Sequence, residues 1–369
     1  MVWDILLVGG GHSHVAVLAD WARRGNPAKR AALLTPQPFL RYSGMVPGWI
    51  AGEHTSEAGL VDLAGLAKAA GVDLILDRCV AMDPVSRHVL SLDNGLISFR
   101  IASIDVGGVG RAASVLGDDP RLRDVRPIGA FVDTLERDLP KAGSIAVVGG
   151  GAGGVELAFA LRNRSRKAGQ DYLHKVTLIA GENGLLPGFA NSVLDRVRAE
   201  LETQSIALIE VDAWIERGVL MAGEVAVPAD LIVAAVGSGA PDWPGAGGLD
   251  VDENGFIRVD RYQRSTSHSH IFAAGDCAQR VDTRVDHSGV HAVHTGPVLA
   301  ANLRRALNGQ EPRQTYTPRA ASLYLLSTGN GEAILSYGGV SAQGSWVARL
   351  KAWIDKRWIA KYAALSNSA

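Results

Sequence analysis

The chain opens with a short apolar run, Ile5-Leu6-Leu7-Val8, cut off at once by Gly9-Gly10-Gly11. Apolar residues then recur at Val15, Leu18, Ala19 and Ala22, the three-to-four spacing of an amphipathic helix, until Gly25-Asn26-Pro27 ends it. A second apolar run follows at residues 31–34. The whole pattern then repeats. Ile145-Ala146-Val147-Val148 meets Gly149, Gly151 and Gly154, helical spacing continues through Val155, Leu157, Ala158 and Leu161, and residues 176–179 form the next strand-like run. Strand, turn, helix and strand, twice over, predict βαβ units and an α/β fold with parallel sheets.

Glycines at such turns serve three purposes. The first permits the tight bend, the second lets backbone approach a pyrophosphate, and the third lets helix and strand pack closely. The helix N-terminus behind them offers free N–H groups and partial positive charge to phosphates. One such turn is a weak signal. Two in the same context point to two dinucleotide pockets, one for FAD and one for NAD(P)H, whereas a methyltransferase needs a single turn. A third motif, residues 270–278, is a short apolar strand ending at Gly275 with Asp276 at its tip. A carboxylate there can accept hydrogen bonds from the ribityl chain of a flavin, and Asp is equally a good helix N-cap.

Composition narrows the chemistry. Across 369 residues, 37 Lys+Arg face 38 Asp+Glu, a formal net charge of −1 that removes nucleic acid as a default partner. With 47% hydrophobic and 20% charged residues the chain is globular, and its length suits about two domains. Its 2 cysteines, Cys79 and Cys277, are far apart, so neither a disulfide scaffold nor a four-thiolate zinc site is available. Redox chemistry therefore needs a carrier other than a protein dithiol. Neither a leader pattern nor an apolar stretch approaching ~20 residues occurs, so a cytoplasmic location is expected, free or peripheral on the inner face of the cell membrane.

Together these motifs resemble the two-dinucleotide-binding flavoproteins of the pyridine nucleotide-disulfide oxidoreductase superfamily, over nearly the whole chain. Within it the similarity is nearest to type II NADH dehydrogenases. It is nearer still to the dehydrogenase-like branch found free or fused ahead of selenide–water dikinase, through residues 9–14, 42–48 and 350–357. The resemblance implies two Rossmann-like three-layer domains. The FAD-binding domain would comprise 1–112 and 240–315, with an NAD(P)H-binding domain inserted at 113–239 and a C-terminal segment at 316–369. It implies FAD contacts from Gly9, Gly10, Gly11, His12, Ser13, His14, Thr35, Ser43, Val80, Gly107, Gly275, Asp276, His294 and Thr295. NAD(P)H contacts would come from Gly149, Gly151, Gly154, Glu182 and Gly237. Glu156 resembles the family glutamate close to nicotinamide and flavin and is the catalytic candidate, although a first-turn helix acid favoured by the dipole is the other reading.

The departures from the family are equally informative. Its dithiol members carry a cysteine pair beside the flavin, and sulfide:quinone reductases use cysteines as well. Here Cys277 lies inside the flavin motif and Cys79 in a strand-like run, so both read as structural. Reduced flavin must then pass electrons directly to an external acceptor. His14 stands where the flavin turn has its third glycine, and it also reads as a helix-start residue satisfied by backbone. Thr35-Pro36 stands where many members place an acid on the adenosine ribose. After residues 176–179 come Ala180-Gly181-Glu182 with no basic residue nearby, which favours NADH over NADPH. His287, His291 and His294, with His268 and His270 nearby, are better explained by a helix facing the flavin than by a metal site, and no metal is expected.

Residues 345–369 hold Trp346, Trp353 and Trp358, with Arg349, Lys351, Lys356, Arg357 and Lys361 against Asp355. Trp346, Val347, Leu350, Trp353 and Ile354 trace one helical stripe, continued by Trp358 and Tyr362. Such a helix suits an anionic lipid interface, with packing on its own domain or across a homodimer as the alternative. The expected function is NADH oxidation through FAD, with a quinone as acceptor. A soluble reductase of a small iron–sulfur or selenium-linked carrier, and a flavin redox sensor with little turnover, are the other readings.

Overall fold

The structure is a computed structural model and describes residues 1–167, 175–285, 287, 289–318 and 322–366. The first apolar run becomes β1 (Val2–Val8), the glycine turn feeds α1 (His12–Arg24), and β2 (Ala31–Thr35) follows. Asp62 caps α2 (Leu63–Ala69) by accepting the Gly65 N–H at 2.9 Å. Strands β3 (Asp73–Leu76), β4 (Cys79–Asp83), β5 (His88–Ser91) and β6 (Gly95–Ile104) complete a sheet ordered β3-β2-β1-β6-β5-β4. Residues 5–8 are wholly inaccessible to solvent. That explains why this central strand is continuously apolar and does not alternate: a parallel strand is covered on both faces.

The chain then builds a second sheet. Strands β7 (Leu122–Asp124), β8 (Ser144–Val148), β9 (Lys175–Ile179), β10 (Ala207–Ile209) and β11 (Leu231–Ala234) run parallel in the order β10-β9-β8-β11-β7. Helices α3 (Ala152–Lys167) and α4 (Asn191–Thr203) belong to this unit. After it, β12 (Ile271–Ala273) returns to pair in parallel with β6 of the first sheet. The two crossing segments touch, for Val109 and Gly239 exchange backbone hydrogen bonds of 2.9 Å each. Helix α5 (Gly289–Leu307) then lies against α1, joined by the Ser13 hydroxyl, which donates to the Ala292 carbonyl at 3.0 Å.

The last segment is an antiparallel meander, β13 (Tyr324–Ser327), β14 (Ala333–Tyr337) and β15 (Val340–Gly344), followed by α6 (Ser345–Ser366). Here the expected single stripe splits. Val347 and Tyr362 are buried, and Trp358 packs with Tyr362 into the cluster of Leu18, Leu63 and Leu66, whereas Trp346 and Trp353 remain 49% and 58% exposed. The cause is helical geometry: residues seven apart share a face, so Trp346 and Trp353 point together, away from the 347–358–362 side. The helix is therefore docked on its own chain by one face and open on the other. Tyr362→Ala should lower unfolding free energy by about 3 kcal/mol in urea titration. An unchanged transition would show that α6 is not part of this core.

Candidate dinucleotide and electron-transfer site

The second glycine turn divides its tasks cleanly. Gly149 adopts φ +130°, and a β-carbon there would lie 2.3 Å from the Ala235 carbonyl oxygen. One on Gly154 would lie 1.9 Å from the Gly149 carbonyl oxygen, so helix and turn close only without a side chain. Gly151, by contrast, faces open space, the room a pyrophosphate needs beside the α3 N-terminus. Gly237, at φ +85°, ends the crossing that follows β11. At the tip of β9, Glu182 is exposed and its N–H donates to Asp212 at 2.9 Å, while the nearby Arg198 is held by Glu210 at 2.7 Å. Asp212 was not legible as part of this site, because it comes from beyond β10.

The first turn has the same backbone and different side chains. Gly9 sits at φ +93°, with its would-be β-carbon 2.3 Å from the Asp105 carbonyl oxygen. The Asp105 Oδ2 accepts the N–H groups of Ser13 at 2.7 Å and His14 at 3.0 Å, capping α1 from a distant strand end. His14 is fully buried, its ring between the Gly9 carbonyl at 2.6 Å and the Ser103 hydroxyl at 2.8 Å. No atom of that side chain is left to meet a cofactor; it fills the space behind the turn that Gly154 leaves closed in the other one. Ser13 is likewise turned inward, 3.3 Å from the Thr295 hydroxyl, so only its backbone faces the turn. Thr35 ends β2, buried beside Gly10, and its hydroxyl donates to the Gln37 carbonyl at 3.3 Å. Val80 lies half-buried in β4, and Gly107 at φ +71° opens the crossing after β6.

Gly275, at φ +72°, begins a single 3-10 turn on which Asp276 is buried. Among the described residues, Asp276 caps no helix. Its carboxylate takes the Arg126 guanidinium at 2.9 Å, a partner that the sequence did not reveal because it stands 150 residues away. His12, at the start of α1, faces the rings of Tyr42 and Trp358 at 5.8 and 5.5 Å. Its Nε2 has no hydrogen-bond partner among the described residues, and burial pulls its pKa down to about 4 against the opposing charge of Asp276. Glycines that can bear no side chain, a helix start and this unpartnered nitrogen fit a bound dinucleotide.

A cluster of ionisable groups lies where the three parts of the chain meet. Glu156, on the first turns of α3, accepts the Ser327 N–H at 2.9 Å and lies 3.8 Å from Lys351 of α6. Lys351 in turn lies 3.5 Å from Asp355 and donates to the Gly44 carbonyl at 3.0 Å. Burial raises the pKa of both carboxyl groups, with Lys351 opposing. For Lys351 burial works downward, but the two carboxylates outweigh it and its pKa ends raised. Tyr42 stacks on Trp358 with ring centres 4.4 Å apart, and burial with the Asp355 charge lifts its hydroxyl pKa well above the usual range. Ser43 follows it, with its Oγ against the backbone of Gly289 at the start of α5. Lys351 and Asp355 were legible only as members of a basic tail; the i, i+4 spacing that aims both at one face was the available signal.

The histidines disperse. His287 stacks on Phe256 at 3.9 Å, His291 Nδ1 meets the Tyr316 hydroxyl at 2.7 Å, and His294 stands over the Tyr316 ring at 6.4 Å. Both cysteines are free thiols whose pKa burial pushes up to about 12.

Turns of this kind hold dinucleotides, and a chain with two of them is an oxidoreductase of the class that uses FAD together with NAD(P)H. The pattern of the pyridine nucleotide-disulphide oxidoreductases matches residues 3–296, and the chain belongs to that family. It is 27% identical over 241 residues to ferroptosis suppressor protein 1 of Xenopus tropicalis, a match covering 61% of this chain and 63% of that protein. It is 27% identical over 296 residues to a ferredoxin–NAD(P)(+) reductase of a Sphingomonas species, covering 76% of this chain and 68% of the reductase. Its fold superposes on the sulfide:quinone oxidoreductase of Aquifex aeolicus with a TM-score of 0.80 at 17% identity, over 98% of this chain and 92% of that one.

The geometry of the second turn separates binding from folding. Gly151→Ala should keep the melting temperature within about 2 °C and raise the KM for NADH about tenfold. Gly154→Ala should instead cost about 1–3 kcal/mol of stability. Equal effects of both changes on stability would contradict the division of tasks.

Proposed function

We propose that this protein oxidises NADH and, through FAD, reduces a quinone at a lipid surface. The observation that carries the reading is the largely buried Glu156–Lys351–Asp355 cluster, whose Glu156 lies on the helix that follows the second glycine turn, in a chain whose two cysteines are free thiols. Oxidation of NADH by a quinone gives NAD+ and hydroquinone and consumes one proton beyond the transferred hydride. FAD, when bound, supplies the two-electron carrier between the two substrates. The chain's own part is to bind, orient and deliver that proton. Lys351 stands between two carboxyl groups that burial makes easy to protonate, so a proton can be held and passed among the three without a bare charge being left in the interior. Glu182 after β9 and Asp212 after β10, which accepts the Glu182 N–H, support NADH, since carboxylates there suit ribose hydroxyls and repel an extra phosphate.

The open face of α6 supports the lipid surface. It presents Trp346 and Trp353 with Arg349, Lys356 and Arg357, and the helix's single acid, Asp355, lies on the inner side. Each basic residue adds about 1 kcal/mol at an anionic surface, and tryptophans favour the interface. Among the described residues no helix is long and apolar enough to cross a membrane.

Two measurements test the proposal. Lys351→Met should slow reoxidation of the NADH-reduced protein by a soluble quinone about 100-fold, with ferricyanide, which takes electrons and no proton, reduced at the wild-type rate. Equal loss with both acceptors would remove the proton-delivery role, and faster reoxidation by a ferredoxin than by any quinone would replace the acceptor. The doubly substituted Trp346→Ser, Trp353→Ser protein should pellet about tenfold less with anionic liposomes than the wild type. Unchanged pelleting would remove the lipid surface.

A further inference from the structure

The duplication supplies an internal comparison, because the two glycine turns share a backbone and only the first has a carboxylate facing its helix start. Asp105 and Ala235 occupy matching places, each pressing its carbonyl oxygen to 2.3 Å from where a β-carbon of Gly9 or Gly149 would stand. Past the backbone the likeness stops. Ala235 ends in a methyl group. Among the described residues, no side chain accepts from Gly153 or Gly154, the counterparts of Ser13 and His14 at the α3 N-terminus, and the space at Gly151 is open. At the first turn Asp105 takes nearly everything that a phosphate would use. Its carbonyl accepts the Gly11 N–H at 3.0 Å, and its Oδ2 accepts those of Ser13 and His14. Its Oδ1 stands 2.2 Å from where a Gly11 β-carbon would be and 2.4 Å from that of Gly275.

We infer that Asp105 makes FAD binding proton-linked: the pyrophosphate is accepted at the α1 turn only with a proton on this carboxyl group. The inference rests on the FAD reading of the first turn. Two anions cannot share one helix N-terminus without mutual repulsion, and the dipole offers only about half a charge to meet them. Among the described residues, no cation reaches Asp105 to offset a second anion, since Arg126 is committed to Asp276. Protonation is the remaining route to neutrality, and a protonated carboxyl still accepts from the Ser13 and His14 amides.

Burial already lifts the Asp105 pKa to about 7, the amides of His14 and Ser13 opposing and the Asp276 charge assisting. The neighbours do not blur this. On α1, burial holds His12 and His14 down to about 4, so both stay neutral. On the 3-10 turn, Asp276 is paired with Arg126, and the Cys277 thiol lies at about 12. A bound pyrophosphate adds negative charge beside Asp105 and raises its pKa further. Below pH 7 the proton is therefore present in both states and affinity is level. Above pH 7 the proton must be taken up with the ligand, and affinity falls as pH rises.

The test is FAD titration of the full, flavin-stripped chain, followed by quenching of flavin fluorescence from pH 6 to 9. For the wild type the dissociation constant should be level below pH 7 and rise up to about tenfold per pH unit above it. Asp105→Asn, which keeps an acceptor for both amides, should bind FAD with no slope and about 10- to 100-fold tighter at pH 9. Should that variant misfold, Asp105→Ala reproduces the side chain that the second turn already carries. Wild-type protein with a pH-indicator dye gives an independent reading: close to one proton taken up per FAD at pH 8. A level wild-type curve, the same slope in wild type and variant, or no proton uptake would overturn the inference while leaving FAD binding intact. Absence of FAD binding at every pH in both proteins would instead overturn the FAD reading, and this inference with it.

Discussion

Two backbone collisions that glycine alone avoids organise the molecule. The carbonyl oxygen after β6 and its counterpart after β11 press so closely on Gly9 and Gly149 that no side chain fits at either position. Each contact holds a central strand, its neighbour and the following helix in one arrangement, with the helix N-terminus aimed out of the sheet's carboxyl end. That end is where parallel α/β sheets receive ligands, because unpaired N–H groups and the positive end of the dipole meet there. The Val109–Gly239 bridge then ties the two crossing segments together.

At the seam the constraint is electrostatic. Two carboxyl groups, a phenol and one ammonium group come together from separate stretches of chain: Glu156, Asp355, Tyr42 and Lys351. A buried lysine is costly alone and acceptable between two acids, which is why α6 carries its cation and its acid one turn apart on the same face. The opposite face has no such partner and keeps its tryptophans and cations in the open. One helix thereby closes an interior site and offers an outer surface.

The glycine spacing and the apolar runs were enough to read both βαβ units, since those patterns answer to local sterics and to burial on two faces. The cysteine count was enough to put a dithiol relay aside. The course of α6 was legible as a helix, but its buried side was not. The stripe read from Trp346 to Tyr362 treated all large apolar residues as one face, and only contact with α2 and α1 separates Trp358 and Tyr362 from Trp346 and Trp353.

The site divides in the same way. Gly149, Gly151 and Gly154 declare their tasks by spacing, because each answers to backbone a few residues away. Asp105, Arg126, Lys351 and Asp355 carry no such mark. Asp105 caps a helix 91 residues earlier and Arg126 meets Asp276 across 150 residues. Hydrogen bonds and ion pairs act over about 3 Å of space whatever the separation along the chain. The amino-acid order therefore determined where the chain turns and which runs are buried. Which charges face one another was decided when the strands and helices closed.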